Sequence, residues 1–279
     1  DKAGQCATSG NSNFIGGYGA GRCNDSASQN VKIGWMSGLV GTGSNVVTIG
    51  AAAGRHGTTH ACSVYIGNCA GSCMCNGTNN IAIGQQALLG SSTVADNSGA
   101  NNIALGLSAG SAVTSGGMNT LVGSYAASKI TTGNGNVALG FAAGCETTTS
   151  GYNVYLGDSA GRNIQTGDYN FAGGYAALKG SGTAADNTGD YNVALGYKAG
   201  EGVTSGANNI LIGNAAGDAL TSGSGAVAIG CAALGSEDTV SNAVAIGWQA
   251  LTSQNASFGN NVAVGYCAGG TVTDATENV

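Results

Sequence analysis

The stretch Asn101-Asn102-Ile103-Ala104-Leu105-Gly106 repeats a phrase that also stands as Asn79-Asn80-Ile81-Ala82-Ile83-Gly84 and as Gly135-Asn136-Val137-Ala138-Leu139-Gly140. Its closing glycine recurs at Gly17, Gly34, Gly50, Gly67, Gly84, Gly106, Gly123, Gly140, Gly157, Gly174, Gly196, Gly213, Gly230, Gly247 and Gly265, and ten of the fourteen gaps are 17 residues. A fixed short period of this kind marks stacked structural units. The expected fold is all-β, a parallel β-solenoid of about 15 coils with 17 residues per coil. It forms one domain over 1–279, with coils from about 10 to 270 and longer, 22-residue coils near 85–106 and 175–196.

Within a coil, the residues three and one before the glycine are large and apolar (Ile81 and Ile83, Val137 and Leu139). Two residues apart on a strand, they share a face. That face reads as the interior. Three after the glycine stands Ala in nearly every copy (Ala20, Ala53, Ala87), small enough for a second side of the coil to approach closely, and four after stands Gly or Leu, fitting a tight turn that sometimes closes over the core. Asn four before the glycine (Asn80, Asn102, Asn119, Asn192) invites an amide ladder from rung to rung.

On this reading the residue two before the glycine faces outward. It is mostly Ala or a larger apolar residue: Ala82, Ala104, Leu121, Ala138, Tyr155, Ala172, Ala194, Leu211, Ala228, Ala245 and Ala263. A long small-apolar face suits a second copy of the chain, so these residues are the expected self-assembly face.

Charged residues are only 8% of the chain, glycine supplies 52 residues, proline none, and the formal net charge is −6. This excludes collagen and ordinary disorder and offers no basic stripe for nucleic acid. No apolar run is long enough for a membrane helix, so no membrane insertion is expected. Nine cysteines and sequons at Asn24, Asn76 and Asn255 fit an oxidising extracellular setting with possible N-glycosylation.

The phrase from Asn260 to Gly269 (Asn-Asn-Val-Ala-Val-Gly-Tyr-Cys-Ala-Gly) resembles the repeat of trimeric autotransporter adhesin heads, and the 17-residue spacing is similar to repeats of phage tail-fibre proteins and large bacterial surface proteins. The resemblance covers nearly the whole chain. It implies a left-handed β-roll, homotrimers, an extracellular place on a cell surface or virion appendage, and attachment to surface glycans or a host receptor.

Other features read as follows. Tyr18, Trp35, Phe141, Tyr175, Tyr197, Trp248 and Tyr266 directly follow the repeat glycine and can bind sugar faces or pack against a neighbouring chain. Cys6 and Cys23 lie one period apart and could bridge, and Cys62, Cys69, Cys73 and Cys75 cluster as a local disulfide pair rather than a zinc site. The long coils share Asp96-Asn97 and Asp186-Asn187, read as Asx turns rather than calcium ligands. His56 and His60 read as surface-loop residues. A Thr column (Thr58, Thr114, Thr131, Thr148, Thr204, Thr221) raises an ice-binding alternative, lacking a second Thr column beside it. No catalytic group, cofactor or metal site is expected. The functional expectation is a structural and adhesive fibre component that associates with itself, with a carbohydrate-binding solenoid as the alternative.

Overall fold

The structure is a computed structural model that describes residues 3–5, 9–23, 26–93, 97–236, 239–252 and 259–270. Fifteen parallel three-residue strands, about 17 residues apart, make a parallel β-solenoid of about 14 turns. The chain divides into two compact units. Asp1–Asn136 carries β1 (Phe14–Gly16) to β7 (Thr120–Val122), and Val137–Val279 carries β8 (Val137–Leu139) to β15 (Val262–Val264).

Within each unit, each strand pairs with the next at the same station of the repeat. Ile81, Ala82 and Ile83 of β5 (Ile81–Ile83) face Ile103, Ala104 and Leu105 of β6 (Ile103–Leu105). Val193, Ala194 and Leu195 of β11 (Val193–Leu195) face Ile210, Leu211 and Ile212 of β12 (Ile210–Ile212).

The inside and outside of the strand are the reverse of the sequence expectation. The residues two before the glycine are the core: Ala82, Ala104, Leu121, Ala138, Ala172, Ala194, Leu211, Ala228 and Ala245 are fully buried, and Tyr155 and Ala263 are buried with them. The flanking Val, Ile and Leu residues are half-buried or exposed. The reason is width. A coil this short leaves an interior too narrow for two columns of β-branched side chains, so the small residue turns in and the large ones turn out.

Core volume is balanced between neighbouring rungs. Where the inward strand residue is large, the position four after a neighbouring repeat glycine is Gly. A Cβ at Gly161 would lie 2.3 Å from the Tyr155 ring, and one at Gly200 would lie 2.7 Å from Leu211. Where the strand residue is Ala, Leu88, Leu178, Leu234 and Leu251 close the space instead and are themselves buried. The Ala column three after the glycine points inward as expected, fully buried from Ala20 to Ala250. A further inward column seven after the glycine, Met74, Val113, Ile130, Ile164, Val203 and Leu220, completes the core.

The Asn ladder forms. Asn192 accepts from the backbone N–H of Asn209 at 3.1 Å and donates through Nδ2 to Gly206 O at 2.8 Å, while its own N–H donates to Asn170 Oδ1 at 2.9 Å. In the first unit Asn80, Asn102 and Asn119 likewise accept from the backbone N–H one coil on and donate to a glycine carbonyl. Buried backbone groups at the corner are thereby satisfied by side chains, which an open corner could not leave unpaired without cost.

At the repeat glycine the backbone turns with φ near +130, as at Gly157 (φ 131). A Cβ there would meet Gly174 O at 2.7 Å, so both conformation and space demand glycine. Gly157→Ala is expected to destabilise the second unit by more than about 2 kcal/mol. Gly182→Ala, where a Cβ meets nothing within 4 Å, should be neutral. Chemical denaturation followed by circular dichroism measures both.

Candidate functional site

The outward strand face presents two parallel columns of large apolar side chains. In the first unit they include Phe14, Ile33, Ile81, Ile83 and Ile103, and in the second Leu139, Ile210 and Val264, all exposed. Exposure runs from 36% at Ile81 and Ile103 to 66% at Val264, well above what a folded core tolerates, and the residues at these stations on the rungs between are half-buried. A single exposed Leu needs no explanation, but a ladder of them does.

Aromatic rings border this face. Tyr18, Trp35, Phe141, Tyr175, Tyr197, Trp248 and Tyr266 are all exposed, just past the strand. At the opposite border, five before the glycine, stand Tyr152, Tyr169 and Tyr191, a column that sequence reasoning missed. The signal was available. The same station carries Asn79, Asn101 and Asn208 in other coils, all with φ near +60, the conformation Asn tolerates best. Tyrosine there departs from that preference in three successive rungs.

These rings stack on each other. Tyr152 and Tyr169 lie 5.2 Å apart at 7°, Tyr169 and Tyr191 5.1 Å at 2°, Tyr175 and Tyr197 5.3 Å at 13°, and Trp248 and Tyr266 4.8 Å at 10°. Where ring faces cover one another along the stack, the flank offers ring edges and, for Tyr, hydroxyls. A sugar that stacks on an aromatic face finds one at the ends of such a column rather than along it.

Charge is sparse and local. Glu201 accepts from Lys179 at 3.2 Å and Lys198 at 3.0 Å, and Lys198 lies 5.8 Å from the Tyr197 ring centre. Burial pushes the Glu201 carboxyl up, but the hydrogen bonds from the two lysines outweigh it and hold it below its ordinary value.

Several sequence expectations are corrected. Cys6 lies outside the described residues, and the expected Cys6–Cys23 pair with it; Cys23 is exposed, and its backbone bridges to Val40. Cys62, Cys69, Cys73 and Cys75 are also free. They occupy different stations of the coil: Cys62 is exposed, while Cys75 is buried with Thr58 Oγ1 3.0 Å from its sulfur. His60 is not a surface residue but is 1% exposed in the interior. Of the two Asp-Asn pairs, Asp96 lies outside the described residues. Asn97 and Asn187 are buried, accept from Ser91 N at 3.0 Å and Ser181 N at 2.9 Å, and clip the loop across six residues.

Of the sequons, Asn24 and Asn255 lie outside the described residues. Asn76 is exposed, and its Oδ1 accepts from Thr58 and Thr59 hydroxyls at 2.8 and 3.1 Å. The Thr column directs its hydroxyls along the stack, Thr114 to Thr131 O and Thr204 to Thr221 O, both at 3.1 Å. Among the described residues no group of three His, Cys, Asp or Glu side chains could hold a metal ion. No helix among them is long and apolar enough to cross a membrane.

No family model, no curated protein and no solved structure matches the chain.

The reversal of faces has a direct test. Ala194→Leu should overpack the core and cost about 1–3 kcal/mol. Val193→Thr, one residue away and pointing out, should cost under about 1 kcal/mol in the isolated chain. Urea midpoints of the two variants, measured at low protein concentration, compare them.

Proposed function

We propose that the chain is a structural and adhesive repeat protein of an extracellular fibre, of the adhesin-head or tail-fibre kind, which associates with copies of itself as a homotrimer or filament. The observation that carries this reading is the outward Val/Ile/Leu face. Water on two columns of large apolar side chains is unfavourable by about 25 cal/mol for each Å² exposed, and a partner relieves it. This reading assigns self-association to this face rather than to the Ala column that fills the core.

Its size is adequate. In the second unit, eight rungs from β8 to β15 at about 4.8 Å each, and about 20 Å of width from one aromatic border to the other, give on the order of 750 Å². A standard interface takes about 800 Å² from each partner. Short strands and sparse charge suit a spacer better than a catalyst. The left-handed sense and the extracellular place rest on the resemblance of the repeat.

The second reading, a carbohydrate-binding solenoid, is favoured by the exposed aromatic borders. The stacked geometry favours it less than isolated rings would, because the faces that sugars prefer are turned toward neighbouring rings. The ice-binding reading loses support from the hydroxyls of Thr58, Thr114, Thr148 and Thr204, which are engaged with the next coil's carbonyls.

Light scattering of the native particle is the test. A discrete mass of three times 26.8 kDa, or a filament, is expected. Val193→Glu with Leu195→Glu should release monomer without loss of the far-ultraviolet circular dichroism of the fold. A wild-type monomer at micromolar concentration would remove the assembly reading, and binding to an immobilised glycan lost in Tyr169→Ala would establish the second.

A further inference from the structure

The outward strand face breaks its pattern on two rungs, one in each unit. Three before the repeat glycine the chain carries Phe only at Phe14 and Phe171, and one before it carries Gly only at Gly16 and Gly173. The exceptions coincide: where one column has its largest residue, the other has its smallest. On β1 (Phe14–Gly16) and on β10 (Phe171–Gly173) the two stand two residues apart and so share the outward face.

The described part of the chain itself does not call for this pairing. Both glycines lie in extended strand, where a side chain fits and glycine weakens the strand. Among the described residues, a Cβ at Gly16 would meet no atom within 4 Å, and one at Gly173 would meet only Leu195 Cδ2, at 2.8 Å, the movable end of a flexible side chain. Neither phenylalanine ring therefore lies over the glycine of its own rung. Phe14 is exposed and Phe171 half-buried. Each rung presents a knob beside a dent, on a face built elsewhere from Val, Ile and Leu with Thr120.

A second copy matches knob and dent together. When two such faces meet with solenoid axes parallel and rungs level, their strands run in opposite directions across the contact. The column three before the glycine then lies against the partner's column one before it. Val-type residues meet Leu-type residues on the ordinary rungs, and Phe171 meets the gap over Gly173 of the other copy. A slip by one rung sets Phe171 against Leu156 or Leu195, an overpacked contact, and leaves the gap empty. With axes opposed, each column meets its own kind, and no register brings Phe171 to Gly173.

We propose that copies of this chain associate with axes parallel and rungs level, and that Phe171 of one copy seated over Gly173 of the next sets the register. The contact is reciprocal between two copies and passes from chain to chain round three. Phe14 and Gly16 give the first unit the same device. The proposal deepens the assembly reading and rests on it, and the face of the second unit has the size that a standard interface takes from each partner.

Two variants restore the ordinary rung one column at a time. Phe171→Val leaves the dent unfilled, and Gly173→Leu leaves the knob without a dent. Both residues are those of the preceding rung, Val154 and Leu156, so each variant is expected to keep the far-ultraviolet circular dichroism of the fold. Energy transfer between donor- and acceptor-labelled copies, followed on dilution, reads association. Each variant alone should dissociate at a concentration about tenfold higher than the wild type, through a void in one case and overpacking in the other. An equimolar mixture should recover to within about threefold of the wild type, because Phe171 of one variant finds Gly173 of the other and the new valine meets the new leucine. Variants that dissociate as the wild type does, or a mixture no tighter than the variants alone, would overturn the proposal while leaving the assembly reading in place. A wild type without energy transfer at micromolar concentration would overturn both.

Discussion

The contact on which the rest of the structure depends is backbone against backbone at the repeat glycine. At Gly50, Gly67, Gly84 and Gly106 in the first unit, and from Gly140 to Gly247 in the second, the glycine of one coil lies so close to the glycine carbonyl of the next that no side chain fits between them. The φ near +130 turns the strand into the inner wall at the same place. This seam keeps coils at strand spacing on one corner, and the Asn ladder keeps them there on the other. With both corners fixed, side chains of equal station stack on one another, and the length of a coil follows.

A coil held so tightly has little room inside, and that limit sorts its side chains. Ala fills most inward strand stations. Where Tyr65, Leu121, Tyr155 or Leu211 enters, glycine withdraws across the lumen, as Gly71, Gly110, Gly161 and Gly200 do. Where the strand supplies only Ala, Leu88 or Leu178 comes in from the turn. The bulky β-branched residues, which favour strands, remain on the strand but turn outward. The apolar face and the narrow core are thus two results of one constraint.

The period, the strands, the glycine turn, the inward Ala column and the Asn ladder were legible in the sequence, because each depends on one residue type at one station. The direction in which the strand faces was not. Alternation gives two faces without saying which is inside, and the ordinary rule that larger apolar residues are buried fails when the interior is narrower than those residues need. The pairing of Tyr155 with glycines at 144 and 161 held the answer, since a glycine placed to admit a ring marks the ring as internal. The Tyr152, Tyr169 and Tyr191 border escaped notice because that station is polar elsewhere. The interior place of Lys32 and His60 could not be seen while their face was taken as outward or as loop.

Hydroxyl-radical footprinting across a dilution series tests the account most directly, by comparing Leu195 and Ile212 with Leu211. The account predicts that Leu195 and Ile212 are protected in the concentrated protein and become oxidised on dilution, while Leu211 stays protected throughout. Oxidation of Leu211 with protection of its two neighbours at every concentration would contradict it.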